Sequence, residues 1–268
     1  MAALQDLTIL VPESRELDLF AAMLEQEGAT AVRCPLVRIS DLEDTSNAIA
    51  WIEQMIAAPF DDTVLLTGEG LRKLLSLSGA RRDALISALE KTRLVVRGPK
   101  PVRALREVGL SPALTAVKPT SQGVLETLAR EDLKGRRIGV QLYPGDGALP
   151  LVEALRGHDA EVLAVTPYRY TTQTESGAVA AIIRDMAAGR FGLIAFTASA
   201  QIERLFEVAR EFGLLLQLQA GLNRTPIAAV GPVMEQALAA HDLKSVVQPQ
   251  SAFHLKPLVR AIAAWRAS

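Results

Sequence analysis

The sequence predicts an α/β protein of two similar lobes, each a parallel β-sheet flanked by helices, joined by a two-stranded linker. Three observations carry that reading. Short β-rich runs alternate with helix-period segments almost from end to end, the pattern of parallel strands linked by right-handed crossovers. Apolar residues make up 49% of the 268 but aromatics only 4%, so aliphatic side chains must fill the interior, as between a parallel sheet and its covering helices. The third observation is an internal repeat with a spacing of roughly 130 residues.

In order, strands are expected at residues 8–11, 31–33, 64–66, 94–96, 114–117, 137–141, 161–165, 192–196, 226–230 and 245–247, where β-branched and other apolar residues cluster. Between them, stretches such as 16–27, 47–57, 123–129 and 202–212 carry apolar residues every three or four positions, as one buried helical face requires. Gly68, Gly98-Pro99, Pro119, Pro144-Gly145, Gly231-Pro232 and Pro249 fall at the strand-to-helix turns. Tight turns are therefore expected at the carboxyl ends of the strands, where open α/β sheets bind ligands.

The repeat has four blocks in the same order. "TILVPESRELDLFAAMLEQEGATAVRCPLVRI" lines up with "IGVQLYPGDGALPLVEALRGHDAEVLAVTPYRY", and "TVLLTGEGLRKLL" with "LIAFTASAQIERLF", pairing Thr67 with Thr197. "RLVVRGPKPVRALREVGL" matches "PIAAVGPVMEQALAAHDL", and "VKPTSQGVLETL" matches "VQPQSAFHLKPL", pairing Ser121 with Ser251. The stretches 35–40 and 166–172 are β-like in both copies and suit a two-stranded connection. If the first strand–helix–strand of each copy completes the sheet of the other half, one domain comprises 1–37 with 169–268 and the second 38–168. Two contiguous lobes satisfy the same repeat.

A formal charge of −1 gives no overall basic field, so no nucleic-acid partner is expected. Cys34 is the only cysteine, which excludes a disulfide framework and a cysteine-based metal cluster. His158, His241 and His254 lack ligand spacing, and neither a phosphate-binding glycine loop nor a nucleophile elbow is present. Residues 1–7 lack signal-peptide character, and no apolar run approaches the roughly 20 residues of a membrane span. A cytoplasmic protein without membrane contact is expected. Asp61-Asp62 reads as a turn or cap ahead of a strand, and Arg81-Arg82 as a solvated helix start.

Thr67-Gly68, Thr197-Ala198-Ser199, Ser121 and Gly231 each follow a strand and open a helix. Such turns offer backbone N–H groups and the positive end of a helix dipole, which suit carboxylates or phosphates. The same hydroxyls also serve as ordinary helix caps. Arg15, Arg97 and Arg169 are candidate carboxylate partners. Tyr168 either packs at a strand edge or presents its phenol to a ligand, with Tyr143 a weaker candidate for the latter.

Taken together, "LLTGEG", "AFTASA", "KPTSQGVLETL", "VLAVTPYRY", "AAVGPVMEQAL" and "VVQPQSAFHLKPLVRAI" make the chain resemble the uroporphyrinogen-III synthase family, from Leu7 to about Trp265. The resemblance implies a monomer without cofactor or metal, acting on hydroxymethylbilane, a linear tetrapyrrole with eight carboxylates. Loss of the terminal hydroxyl gives an azafulvene. A spiro-pyrrolenine then forms, the last pyrrole is inverted, and the ring closes as uroporphyrinogen III. It further implies that Thr67, Gly68, Ser121, Thr197, Ser199 and Gly231, with Arg15 and Arg97, bind substrate carboxylates. Tyr168 matches the tyrosine that assists departure of the hydroxyl. The chain also departs from the family pattern. Val11-Pro12 stands where Arg-Pro is usual, Gly68 where a Ser follows Thr, and Met234 where a Thr follows Gly-Pro. Ala198 splits the second Thr-Ser pair, and "VQLYPGD" replaces an Arg-Gly. These departures leave an alternative, a ligand-sensing or regulatory module that kept the fold and lost the chemistry. With the chain ending at Ser268, no fused regulator is expected.

Overall fold

In the computed structural model, which describes residues 2–267, eleven strands alternate with twelve α-helices among those residues. In chain order the strands are β1 (Thr8–Val11), β2 (Thr30–Arg33), β3 (Val37–Ser40), β4 (Asp62–Leu65), β5 (Arg93–Val96), β6 (Leu114–Thr115), β7 (Arg137–Gln141), β8 (Glu161–Val165), β9 (Arg169–Thr172), β10 (Leu193–Phe196) and β11 (Ile227–Ala229). The helices are α1 (Leu17–Gln26), α2 (Ser46–Ala57), α3 (Gly68–Leu77), α4 (Arg82–Lys91), α5 (Pro99–Arg106), α6 (Ser121–Leu128), α7 (Leu149–Gly157), α8 (Ser176–Ala187), α9 (Ser199–Glu211), α10 (Leu215–Arg224), α11 (Pro232–Ala239) and α12 (Leu255–Ala267).

The chain divides into two units, one of the residues up to Arg38 together with those from Tyr170 on, the other Ile39–Arg169. The first holds a parallel sheet in the order β11-β10-β1-β2, the second a parallel sheet in the order β6-β5-β4-β7-β8. β3 and β9 pair as a separate two-stranded sheet, the linker at which the chain passes from one unit to the other. The predicted α/β class of two similar lobes with parallel sheets is what forms.

The repeat is visible in the register. Leu10 lies opposite Ile194, and Val140 opposite Val64. With Thr67 equivalent to Thr197, β1 therefore corresponds to β7 and β10 to β4. One expected strand is reduced. Over 245–247 there is only a single parallel bridge, Ala228 to Val247, in the place that β6 takes in the other sheet. The reason is local: Val247 is buried but Val246 is 54% exposed, and Pro249, which has no N–H to donate, stands two residues on.

Burial explains which strands are central. β4 and β10 are buried at all four positions, whereas the edge strand β2 has no buried residue. In β7, Gly139 is set by close approach: a Cβ there would stand 2.2 Å from the Phe60 ring. Phe60 in turn meets Trp51 edge to face, ring centroids 5.1 Å apart, and the Trp51 indole N–H donates to the Leu163 carbonyl at 2.9 Å.

At the amino end of β4 the structure corrects one expectation. Asp62 is neither turn nor cap; it is the first residue of the strand and fully buried. Its carboxylate meets Arg93 Nε at 2.5 Å and Arg136 Nε at 2.9 Å, and Arg93 also pairs with Glu131. A buried carboxylate between two guanidiniums is a charge that cannot be removed from one side alone. Arg81-Arg82, by contrast, is an exposed helix start. Replacing Asp62 by Ala should lower the unfolding free energy by about 3 kcal/mol, measured by urea denaturation, because two partly buried arginines lose their shared partner.

Candidate functional site

Apart from Arg169, on the linker strand β9, every candidate in the Ile39–Arg169 unit lies at the carboxyl end of its sheet. Thr67 follows β4 and caps α3, its Oγ1 accepting the Gly70 N–H at 3.0 Å. The last residue of β7, Gln141, is fully buried and closes on the same threonine. Its Oε1 accepts the Thr67 N–H at 3.0 Å, and its Nε2 donates to Thr67 Oγ1 at 3.2 Å and to the Leu142 carbonyl. Residue 70 is glycine because a Cβ there would stand 1.9 Å from Gln141 Nε2. Tyr168, beyond β8 and only 2% exposed, donates its phenol to Thr67 Oγ1 at 3.4 Å, the outer limit of a hydrogen bond.

Around this centre stand the others. Gly68 opens α3 so close to α5 that a Cβ would be 2.5 Å from the Lys100 carbonyl. Arg97 follows β5 with its guanidinium 5.0 Å from the centre of the Tyr143 ring, a cation–π contact. Ser121 is the first residue of α6 and buried, but the capping hydroxyl is that of Thr120, which accepts the Gly123 N–H at 2.9 Å.

In the other unit Thr197 follows β10 and is held in the same way from a different place. Gln201, in the first turn of α9, accepts the Thr197 N–H at 2.9 Å and the Ala198 N–H at 3.2 Å, and donates to Thr197 Oγ1 at 2.9 Å. The Thr197 hydroxyl donates to the carboxylate of Glu13. The second oxygen of that carboxylate accepts the backbone N–H groups of Ser14 at 3.0 Å, Arg15 at 2.8 Å and Glu16 at 3.4 Å. The Arg15 residue itself is exposed. Ser199 is the first residue of α9, and Gly231 caps α11 with the Phe253 ring lying where a Cβ would be, 2.7 Å away. Met234 is buried in the core, 1% exposed, where a hydroxyl in its place would face the same apolar neighbours. Arg169 pairs with Glu43 at 2.7 Å.

Residues 18–259 match the family described as Uroporphyrinogen-III synthase HemD. The chain belongs to that family. Two solved structures of uroporphyrinogen III synthase from the extremely thermophilic bacterium Thermus thermophilus are similar over nearly the whole length. A mutant form is 25% identical, covers 97% of this chain and 99% of its own, and gives a TM-score of 0.78. The wild type is 26% identical, covers 96% and 97%, and gives 0.62. Uncharacterized protein YjjA of Bacillus subtilis (strain 168) is 24% identical over 248 residues, 90% of each chain. In the described residues of this synthase-family chain, no helix is long and apolar enough to cross a membrane.

Sequence reasoning missed the residues that hold the synthase-family threonines in place. Gln141 shows as one polar residue inside the apolar run "IGVQL", and Gln201 as the third helical residue after a strand end, where a side chain often reaches back to the cap. Glu13 gave no such signal, since its partner Thr197 is 184 residues away.

Cys34, just past β2, is buried, and burial pushes its thiol up to about 11 despite a hydrogen bond with the Thr174 side chain. The folded protein thus keeps the thiol neutral and unreactive. Since an unfolded thiol ionises near its ordinary value, this contribution to stability is present below about pH 9 and lost as pH rises toward 11. Iodoacetamide at pH 8 should accordingly label Cys34 slowly in native protein and quickly in urea, read by mass spectrometry.

Proposed function

We propose that the chain is a uroporphyrinogen-III synthase in activity as well as in family, a cyclising hydro-lyase that converts hydroxymethylbilane to uroporphyrinogen III. What supports the reading is family membership together with the contact between the Tyr168 phenol and Thr67, at a strand end otherwise built of N–H and hydroxyl donors. Because that contact is 3.4 Å long, a substrate oxygen at ordinary hydrogen-bond distance outcompetes it.

In this reading Thr67, Gly68, Arg97 and Ser121 hold substrate carboxylates in the Ile39–Arg169 unit, and Ser199 and Gly231 offer N–H donors in the other. Tyr168 gives its proton to the terminal hydroxyl as the carbon–oxygen bond breaks, so that water leaves. The pyrrole nitrogen supplies the electron pair that forms the azafulvene, and the proton lost from that nitrogen restores the phenol. The remaining work is positional. A reactive chain held by its carboxylates closes through the spiro intermediate with inversion, in place of the unassisted closure without it. No cofactor or metal enters any step, and the enzyme acts as a cytoplasmic monomer.

The second reading, a ligand-sensing module without turnover, is favoured by Met234, whose side chain is buried in the core and has no hydroxyl to offer. The two separate in one assay, with hydroxymethylbilane generated in place and the product isomers resolved by chromatography. Isomer III should predominate, and Tyr168→Phe should lower its rate of formation by about tenfold or more with the fold unchanged by circular dichroism. Isomer I alone from folded wild-type protein overturns the synthase reading and leaves the sensing module.

A further inference from the structure

The two units treat the same strand end differently. By the register, Val11 is equivalent to Gln141 and Glu13 to Tyr143. In the Ile39–Arg169 unit the position beyond the strand carries Tyr143, whose ring faces the Arg97 guanidinium. The partners described for Thr67 are a backbone N–H, a carboxamide and a phenol. In the other unit the equivalent position carries a carboxylate that takes the Thr197 hydroxyl on one oxygen and the first N–H groups ahead of α1 on the other. A hydroxyl and successive N–H groups are the donors that bind a carboxylate strongly, and here they already hold one.

We propose that Glu13 is a specificity-determining residue: its side chain fills the carboxylate cup at the end of β1, so that this unit takes no ligand carboxylate there. For the identity of the ligand the assignment rests on the function proposed above; for the filling of the cup it does not. Glu13 has a second effect, since a carboxylate left at the strand end repels any anionic group brought to Thr197. The chain's binding of a polycarboxylate is thereby directed to the other strand ends, among them those of Thr67 and Arg97.

Two measurements test it. In the first, thermal unfolding of wild type, Glu13→Gln and Glu13→Ala is followed in acetate and in chloride at equal ionic strength, about 100 mM. Acetate should raise the melting temperature of Glu13→Ala by several degrees more than chloride does, because it enters the emptied cup. Wild type and Glu13→Gln, whose cups stay filled, should respond to the two salts alike. Should Glu13→Ala not fold in chloride, recovery of native protein on refolding in acetate supports the assignment, and failure in both salts overturns it. An equal response of all three proteins also overturns it. In the second measurement uroporphyrin, an octacarboxylate tetrapyrrole, is titrated by fluorescence quenching. Glu13→Ala should bind about three- to tenfold more tightly than wild type, and the gain should vanish in Glu13→Ala/Thr197→Val. Unchanged or weaker binding by Glu13→Ala overturns the specificity role. If uroporphyrin binds none of the proteins, the proposed function fails while the acetate experiment still decides the cup.

Discussion

A glutamine carboxamide closed on a threonine at the end of the central strand is the constraint on which both candidate sites depend. Thr67 and Thr197 each leave a buried sheet, and each has a backbone N–H and a hydroxyl that must find partners where water is scarce. Gln141 and Gln201, both nearly inaccessible, satisfy the two groups at once, with all four distances between 2.9 and 3.2 Å. A bidentate amide fixes orientation as well as position, so the start of the following helix has little freedom. Gly70 is a consequence, since Gln141 occupies the space of its side chain. The two units reach this arrangement differently. One glutamine comes from the neighbouring strand, the other from the following helix, and Val11 stands at the position equivalent to Gln141. The arrangement is kept while its source changes, which argues that the strand-end geometry itself matters.

Charge in the Ile39–Arg169 unit is sorted along the strands. At the amino ends Asp62 is locked between Arg93 and Arg136. The carboxyl ends carry helix-opening N–H groups, Thr67 and Arg97, with Thr120 and Ser121 in the turn after β6. A buried ion pair at one end and a donor-rich surface at the other divide stability from ligand chemistry. Parallel strands produce that division as a matter of geometry, because all their carboxyl ends face one way.

Much of the fold was legible in the sequence, since parallel strands and their helices write periodic patterns and the repeat doubled each signal. The strand expected at 245–247 was not. Three residues with one buried valine look like a strand in propensity, but only pairing decides, and here it amounts to one bridge. Asp62 misled for a related reason: an acidic pair ahead of an apolar run resembles a turn until Arg93 and Arg136 are seen beside it. Within the candidate sites, hydroxyls after strands could be read off directly, though Thr120 rather than Ser121 supplies the capping oxygen. Gln141, Gln201 and Glu13 could not, because their meaning lies in partners that the topology brings together. Gln141 and Thr67 are 74 residues apart, Glu13 and Thr197 184.

Duplication ordinarily gives two equal copies of a site, and the departure from equality is informative. The strand ends after β1 and β7 occupy equivalent positions, yet one carries an acidic side chain and the other an aromatic ring under a guanidinium. A carboxylate at a donor-rich turn satisfies the donors from within, and it does so at no cost in ligand ordering because the residue is already tethered two positions from the strand. An aromatic ring brings no charge of its own to the turn and holds a cation close by. The same backbone thus presents opposite electrostatics in its two copies through the residue two places beyond one strand. An anionic group therefore meets a carboxylate at one strand end and a guanidinium near the other, so the two copies differ in what each accepts although the fold that carries them is the same.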